Sequence, residues 1–116
     1  MWTWVYNGGP FNSPEEMRRF LMRYHTPADW VPWVVVDIAS GQKIGSYCLI
    51  NVDAANRRLE VGGVWIAPKF QGTYAFTEAN LLALEYCFET LKYRRIEWKA
   101  RTCNVIIFTG TMLINL

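Results

Sequence analysis

Glu60 to Asn104 reads EVGGVWIAPKFQGTYAFTEANLLALEYCFETLKYRRIEWKARTCN, and its changing apolar period decides the fold. From Leu59 to Ala67 the pattern is that of a strand, interrupted by Gly62 and Gly63, which predicts a bulge or a close approach to the backbone. After Pro68 the period becomes helical: Leu81, Leu84, Phe88 and Leu91 recur on one face, broadened by Leu82, Tyr86 and Cys87, predicting a helix over 77–92. RRIEWKA then alternates, with Ile96, Trp98 and Ala100 on one side and Arg95, Glu97 and Lys99 on the other, as a strand requires. Loop 68–76 leads into the helix, whose N-terminal N–H groups and dipole favour an anion. Any strand-to-helix turn shares that polarity, so the junction alone assigns nothing.

Upstream, VPWVVVDIA (Val31 to Ala39) and KIGSYCLINV (from Lys43) are β-branched and aromatic runs on either side of SGQ, which reads as a hairpin. Asp53 to Asn56 is a second turn. SPEE at Ser13 supplies an N-cap, a proline at the first helical position and Glu16 for a capping box. Met17, Phe20, Leu21 and Tyr24 follow at helical spacing, predicting a helix over 14–24. The expected order is helix, three strands, helix, strand: an α/β class, α+β mixed sheet.

At 116 residues the chain makes one domain, able to bury about two-thirds of the surface its unfolded form exposes. With 52% hydrophobic and 19% charged residues, and six each of Trp, Tyr and Phe, it is no disordered tail. A net charge of +2 without a basic block argues against nucleic acid as a partner. Cys48, Cys87 and Cys103 have neither metal-ligand spacing nor the even count of a disulfide framework, which suits a reducing compartment. No apolar run approaches the ~20 residues that span a bilayer, and the N-terminus lacks a signal pattern, so the expectation is a cytoplasmic protein with no membrane partner.

Several elements carry a family likeness: Trp65–Pro68, Gln71–Gly72–Thr73, Thr77–Glu78–Ala79, Leu91–Lys92–Tyr93–Arg94–Arg95, Glu97–Trp98–Lys99 and Asn104, in that order. Together with WTWVYNGGPFNSPEEM and IGSYCLINVD upstream, they resemble the GNAT N-acetyltransferase superfamily, in the branch that includes acetyltransferases of ribosomal-protein N-termini. The resemblance covers roughly residues 2–104 and implies a GNAT-like (acyl-CoA N-acyltransferase) fold, incomplete at both ends. Residues 1–104 then form a partial acetyltransferase domain, and 105–116 a divergent apolar tail.

What the likeness implies is an acetyl-CoA-dependent N-acetyltransferase acting on a primary amine, either a protein N-terminus or a small amine. The pantetheine arm would run along Val64, Trp65 and Ile66. Gln71, Gly72, Thr73, Tyr74, Ala75, Phe76 and Thr77 would wrap the diphosphate, and Asn104 would contact the cofactor further on. QGTYAF departs from the general phosphate loop by placing Tyr74 and Phe76 where small residues usually stand.

Glu60, the only acid on its strand, is the candidate general base or water-positioning group; its alternative is a carboxylate paired with Arg57 or Arg58. His25 reads as a cap or solvated side chain, Cys87 as core and Cys103 as facing the cofactor. Trp2, Trp4, Tyr6 and Phe11 either line an acceptor pocket or are buried. The competing reading is a catalytically inactive remnant that binds cofactor or a partner, including a homodimer whose apolar tail covers the sheet edge. A poorly soluble truncation product is the third. No metal site is expected.

Overall fold

The computed structural model describes residues 9–24 and 27–99. Helix α1 (Pro14–Tyr24) starts where SPEE places it, and the Ser13 Oγ accepts the Glu16 N–H at 3.1 Å. Glu16 reaches back one residue further than a standard capping box: its Oε2 accepts the Asn12 N–H at 2.8 Å. Phe11 and Phe20 pack with ring centroids 5.1 Å apart, so of the suggested acceptor-lining aromatics Phe11 is engaged by α1. Trp2, Trp4, Tyr6, His25, Cys103, Asn104 and the tail at 105–116 lie outside the described residues.

Strands β1 (Val31–Val36), β2 (Lys43–Asp53), β3 (Arg58–Ile66) and β4 (Arg95–Trp98) form a four-stranded sheet in sequence order. The first three are antiparallel neighbours, and β4 pairs parallel with β3. The hairpin turn begins earlier than expected, at Asp37, whose carboxylate accepts the Ser40 N–H at 3.0 Å and so ends β1 before Ile38 and Ala39. Gly41 closes the turn at φ +67.

The parallel pair needs a crossover, supplied by helix α2 (Tyr74–Glu85), which runs on as a π-turn through Tyr86–Thr90. Its start is three residues earlier than the apolar spacing predicts, because Thr73 rather than a residue near 77 caps it. β4 lies within the stretch RRIEWKA expected to be a strand, from Arg95 to Trp98.

The core lies between one sheet face and α2. Tyr47, Leu49, Leu59 and Val61 from the strands meet Ala83 and Cys87 from the helix, with Trp33, Val35, Ile96 and Trp98 against them. Cys87 is core, as expected. Much of the expected helical stripe is not: Leu81 is 63% exposed and Leu82 58%, Phe88 and Leu91 also face outward, Leu84 is half-buried, and Tyr86 meets the core only through its edge contact with Trp33. Asn80, Ala83 and Cys87 form the buried line instead. The sheet face supplies the bulk, since Trp33 and Trp98 flank Tyr47 at 6.3 and 6.4 Å, so the helix approaches through small side chains. Its register is pinned by the buried Tyr47 hydroxyl donating to the Asn80 Oδ1 at 2.6 Å.

Burial raises the Tyr47 hydroxyl and the Cys48 and Cys87 thiols above their ordinary values. Each group stays protonated longer in the folded chain than in the unfolded one. Their stabilisation is therefore complete below the ordinary thiol value of 9.0 and is lost as pH rises through the raised values. Urea midpoints are expected to hold level from neutrality to about pH 8.5 and to fall beyond it, because the unfolded thiols ionise first. A level midpoint at pH 10 would contradict the burial of these groups.

Candidate functional site

The candidate site lies along β3, on both sides of its last described pair with β4. Their ladder runs from Arg58↔Arg95 to Val61↔Trp98, whereas β3 continues to Ile66. Beyond Val61, β3 keeps only β2 as a partner among the described residues, and that register shifts between Ser46↔Trp65 and Cys48↔Gly62. The shift is the bulge expected from the paired glycines. Gly63 takes φ +58, and a Cβ there would sit 3.0 Å from the Cys48 Sγ. A Cβ on Gly62 would meet the Ile50 side chain at 2.5 Å. The backbone of Val64, Trp65 and Ile66 thus follows a bulge on β3 and runs on beyond the last described pair with β4.

Past Ile66 the chain enters α2 through a short loop. A 3-10 turn, Pro68–Phe70, follows Ala67, and the Gln71 Nε2 donates to the Ile66 carbonyl at 2.9 Å, tying the loop to the strand end. Gly72 sits at φ +73 with open space where a side chain would be. The Thr73 hydroxyl donates to the Phe70 carbonyl at 2.6 Å and accepts the Ala75 N–H at 3.3 Å. Gln71 and Thr73 are therefore engaged within the loop, and the groups left to meet an anion are backbone N–H donors. Those of Gly72, Tyr74 and Phe76 have no acceptor among the described residues.

Tyr74 and Phe76 do not plug this end. The Phe76 ring packs edge-on to Trp98 at 6.1 Å, and Tyr74 is 88% exposed. Thr77 is also exposed, in the first turn of α2 rather than in a loop. Replacing Thr73 with alanine is expected to lower stability by about 1 kcal/mol, as for other N-cap hydroxyls, with a Thr77→Ala control near neutral. Urea unfolding of the two variants checks this.

Glu60 stands on β3 one residue before the last described ladder pair, directly beside Glu97. It is buried, yet neither Arg57 nor Arg58 is its partner. Arg58 pairs with Asp53 at 3.1 Å, and that carboxyl is held below its ordinary value, first by the Asn56 side chain and also by Arg58. The Glu60 Oε2 instead accepts from the Asn51 Nδ2 at 2.9 Å and the Lys99 Nζ at 2.5 Å. The hydrogen bond to Glu60 raises the Lys99 ammonium above its ordinary value, and Glu97 adds to the effect.

These groups, with Asp29, Val52, Asp53, Arg58 and Leu59, line a cavity of about 370 Å³. Among the described residues no set of His, Cys, Asp and Glu side chains could hold a metal. Asn51 and Lys99 are the residues that sequence reasoning missed as partners of Glu60. Lys99 stood in the quoted EWK segment. Asn51 gave one signal, an asparagine within a strand run, and it takes φ +50, which asparagine tolerates better than most residues.

A mixed sheet whose parallel pair β3–β4 is joined by a capped crossover helix is an α/β arrangement, and the comparisons with known proteins give it a family. The model for the Acetyltransferase (GNAT) domain matches residues 1–107, and the chain belongs to that family. A crystal structure of a GCN5-related N-acetyltransferase from Brucella melitensis superposes with TM-score 0.87 at 30% identity, over 96% of this chain and 50% of that one. A probable acetyltransferase of the GNAT family from Chromobacterium violaceum ATCC 12472 gives 0.91 at 27% identity, over 98% and 57%. Spermidine N-acetyltransferase from Vibrio cholerae, in complex with CoA and spermine, gives 0.72 at 26% identity, over 93% and 63%.

In sequence, 56 residues are 38% identical to "Putative ribosomal N-acetyltransferase YdaF" of Bacillus subtilis (strain 168), covering 48% of this chain and 30% of that protein. The chain thus spans about half the length of the first two solved relatives and under a third of the curated one. No helix among the described residues is long and apolar enough to cross a membrane.

Proposed function

We propose that the chain binds acetyl-CoA and supports transfer of its acetyl group to a primary amine, of a protein N-terminus or a small molecule. The observation that carries this reading is a bulged β3 that leads through a short loop into a helix whose first N–H groups have no acceptor among the described residues. A long, thin thioester with a diphosphate suits such a junction, because an extended arm needs backbone partners and a diphosphate needs donors at a helix N-terminus. Membership of the family supports it, and so does the CoA-bound relative from Vibrio cholerae.

In this reading the polar backbone groups of Val64, Trp65 and Ile66 hold the arm. The N–H groups of Gly72, Tyr74 and Phe76 hold the diphosphate, while Thr73 and Ala75 shape the turn, Gln71 braces it and Thr77 lines its rim. Asn104 is a further cofactor contact by family likeness. When bound, acetyl-CoA supplies an activated acyl group. Strand N–H groups would polarise its carbonyl oxygen and Glu60 would take the proton from the incoming ammonium, directly or through water, so that the neutral amine displaces the CoA thiolate, which leaves as the thiol on taking up a proton. The carboxylates of Asp29, Asp53 and Glu97 around Glu60 outnumber Arg58 and Lys99, which favours a cationic acceptor.

A module that binds cofactor without turnover is the second reading, and one observation favours it: the Glu60 Oε2 already carries both Asn51 and Lys99. Two assays separate the readings. Acetyl-CoA should raise the melting temperature, and thiol release should follow on adding spermidine or a peptide with a free N-terminus. Stabilisation without thiol release selects the binding module, and no stabilisation rejects both.

A further inference from the structure

Tyr74 and Phe76 are one residue apart and have opposite fates. Phe76 is committed to the core by its contact with Trp98, while Tyr74 is 88% exposed at the first position of α2. Among the described residues no hydrogen bond, ion pair or ring contact involves Tyr74. Side chains in a helix lean toward its N-terminus, so a first-position ring projects over the end where the free N–H groups lie. Beside it Gly72, at φ +73, leaves open space. An aromatic face therefore stands next to an anion seat, engaged by no side chain among the described residues.

We propose that Tyr74 is the platform on which the adenine ring of the cofactor stacks, so that this chain reads the nucleotide end of its donor as well as the arm. The inference rests on the acetyl-CoA reading above and adds a specificity residue to it. In coenzyme A the purine is joined to the diphosphate through a single ribose, so a diphosphate seated on the α2 N-terminus brings the base within reach of a ring projecting from the same turn. Aromatic rings stack on bases without needing a matched hydrogen-bond pattern, and losing one such contact weakens binding by roughly tenfold or more. The tyrosine at a position where small residues are usual thereby becomes a gain in nucleotide contact.

The test is calorimetric titration of acetyl-CoA and of S-acetyl-4′-phosphopantetheine, which lacks the nucleotide, into the unsubstituted chain, Tyr74→Ala and Tyr74→Phe. Being exposed, Tyr74 can be replaced without opening the core, which unchanged melting temperatures verify. The expected result is an approximately tenfold weaker affinity of Tyr74→Ala for acetyl-CoA, the same affinity for the truncated donor, and full retention by Tyr74→Phe. Unchanged acetyl-CoA affinity in Tyr74→Ala, or an equal loss for both donors, overturns the stacking role and leaves the acetyl-CoA reading standing. Failure of the unsubstituted chain to bind either donor overturns both.

Discussion

Glu60→Gln is expected to lower kcat for amine acetylation by roughly 10²–10⁴-fold, the range that general-base catalysis contributes, while acetyl-CoA affinity stays unchanged. Glutamine keeps the shape and still offers an oxygen to the Asn51 amide, so the variant removes the base and not the fold. The loss should fall on kcat more than on KM, because proton removal belongs to the reaction and not to donor binding. Lys99→Met is the informative companion: it frees the Glu60 Oε2 of its ammonium while keeping the carboxylate. If Glu60 is the base, this variant stays active and only Glu60→Gln is silent. Equal activity of Glu60→Gln and the unsubstituted chain would show that the carboxylate serves only to bind β4 to β3 through Lys99.

Gly45→Ala is expected to give the largest loss of stability, about 3 kcal/mol, at the upper end of overpacking effects. A Cβ at Gly45 would lie 2.4 Å from the Trp65 carbonyl oxygen, a backbone atom with no rotamer to change. Gly45 is also the ladder partner of Ile66, so β2 and β3 would have to separate beside the strand end proposed to hold the cofactor's arm. Acetyl-CoA affinity should therefore fall with stability. Gly63→Ala is a milder comparison: left-handed strain costs roughly 1–2 kcal/mol, and its nearest contact is the Cys48 side chain, which can shift. Urea unfolding at neutral pH should rank Gly45→Ala below Gly63→Ala, and the reverse order would contradict the β2–β3 register.

Local signals were legible where a residue acts on its own neighbours. Ser13 and Glu16 marked the start of α1, Gly62 and Gly63 marked the bulge, and the change of period after Pro68 marked the crossover helix. The errors arose where tertiary partners decide. The leucines at 81 and 82 satisfy a helical stripe as well as Asn80 and Ala83 do. What turns the helix is the Tyr47 hydroxyl waiting for Asn80 from 33 positions away, together with the bulk of the aromatic sheet face.

The same distance hid the partner of Glu60. Arg57 and Arg58 are adjacent in sequence, but Asp53 across the tight turn takes Arg58, and parallel pairing with β4 delivers Lys99 instead. Phe76 illustrates a third case. Sequence placed it in a loop, in the way of a phosphate, and one turn of extra helix points it at Trp98.

The central claim is that a CoA thioester seats its diphosphate on the α2 N-terminus with its arm between β3 and β4. Thermal unfolding with and without acetyl-CoA tests it most directly. At about 100 times the dissociation constant the ligand should add ~2.7 kcal/mol of stability, raising Tm by roughly 10 °C. Coenzyme A should give a similar shift, and a thiol with no nucleotide or pantetheine should give none. A Tm that does not move at millimolar acetyl-CoA would contradict the account.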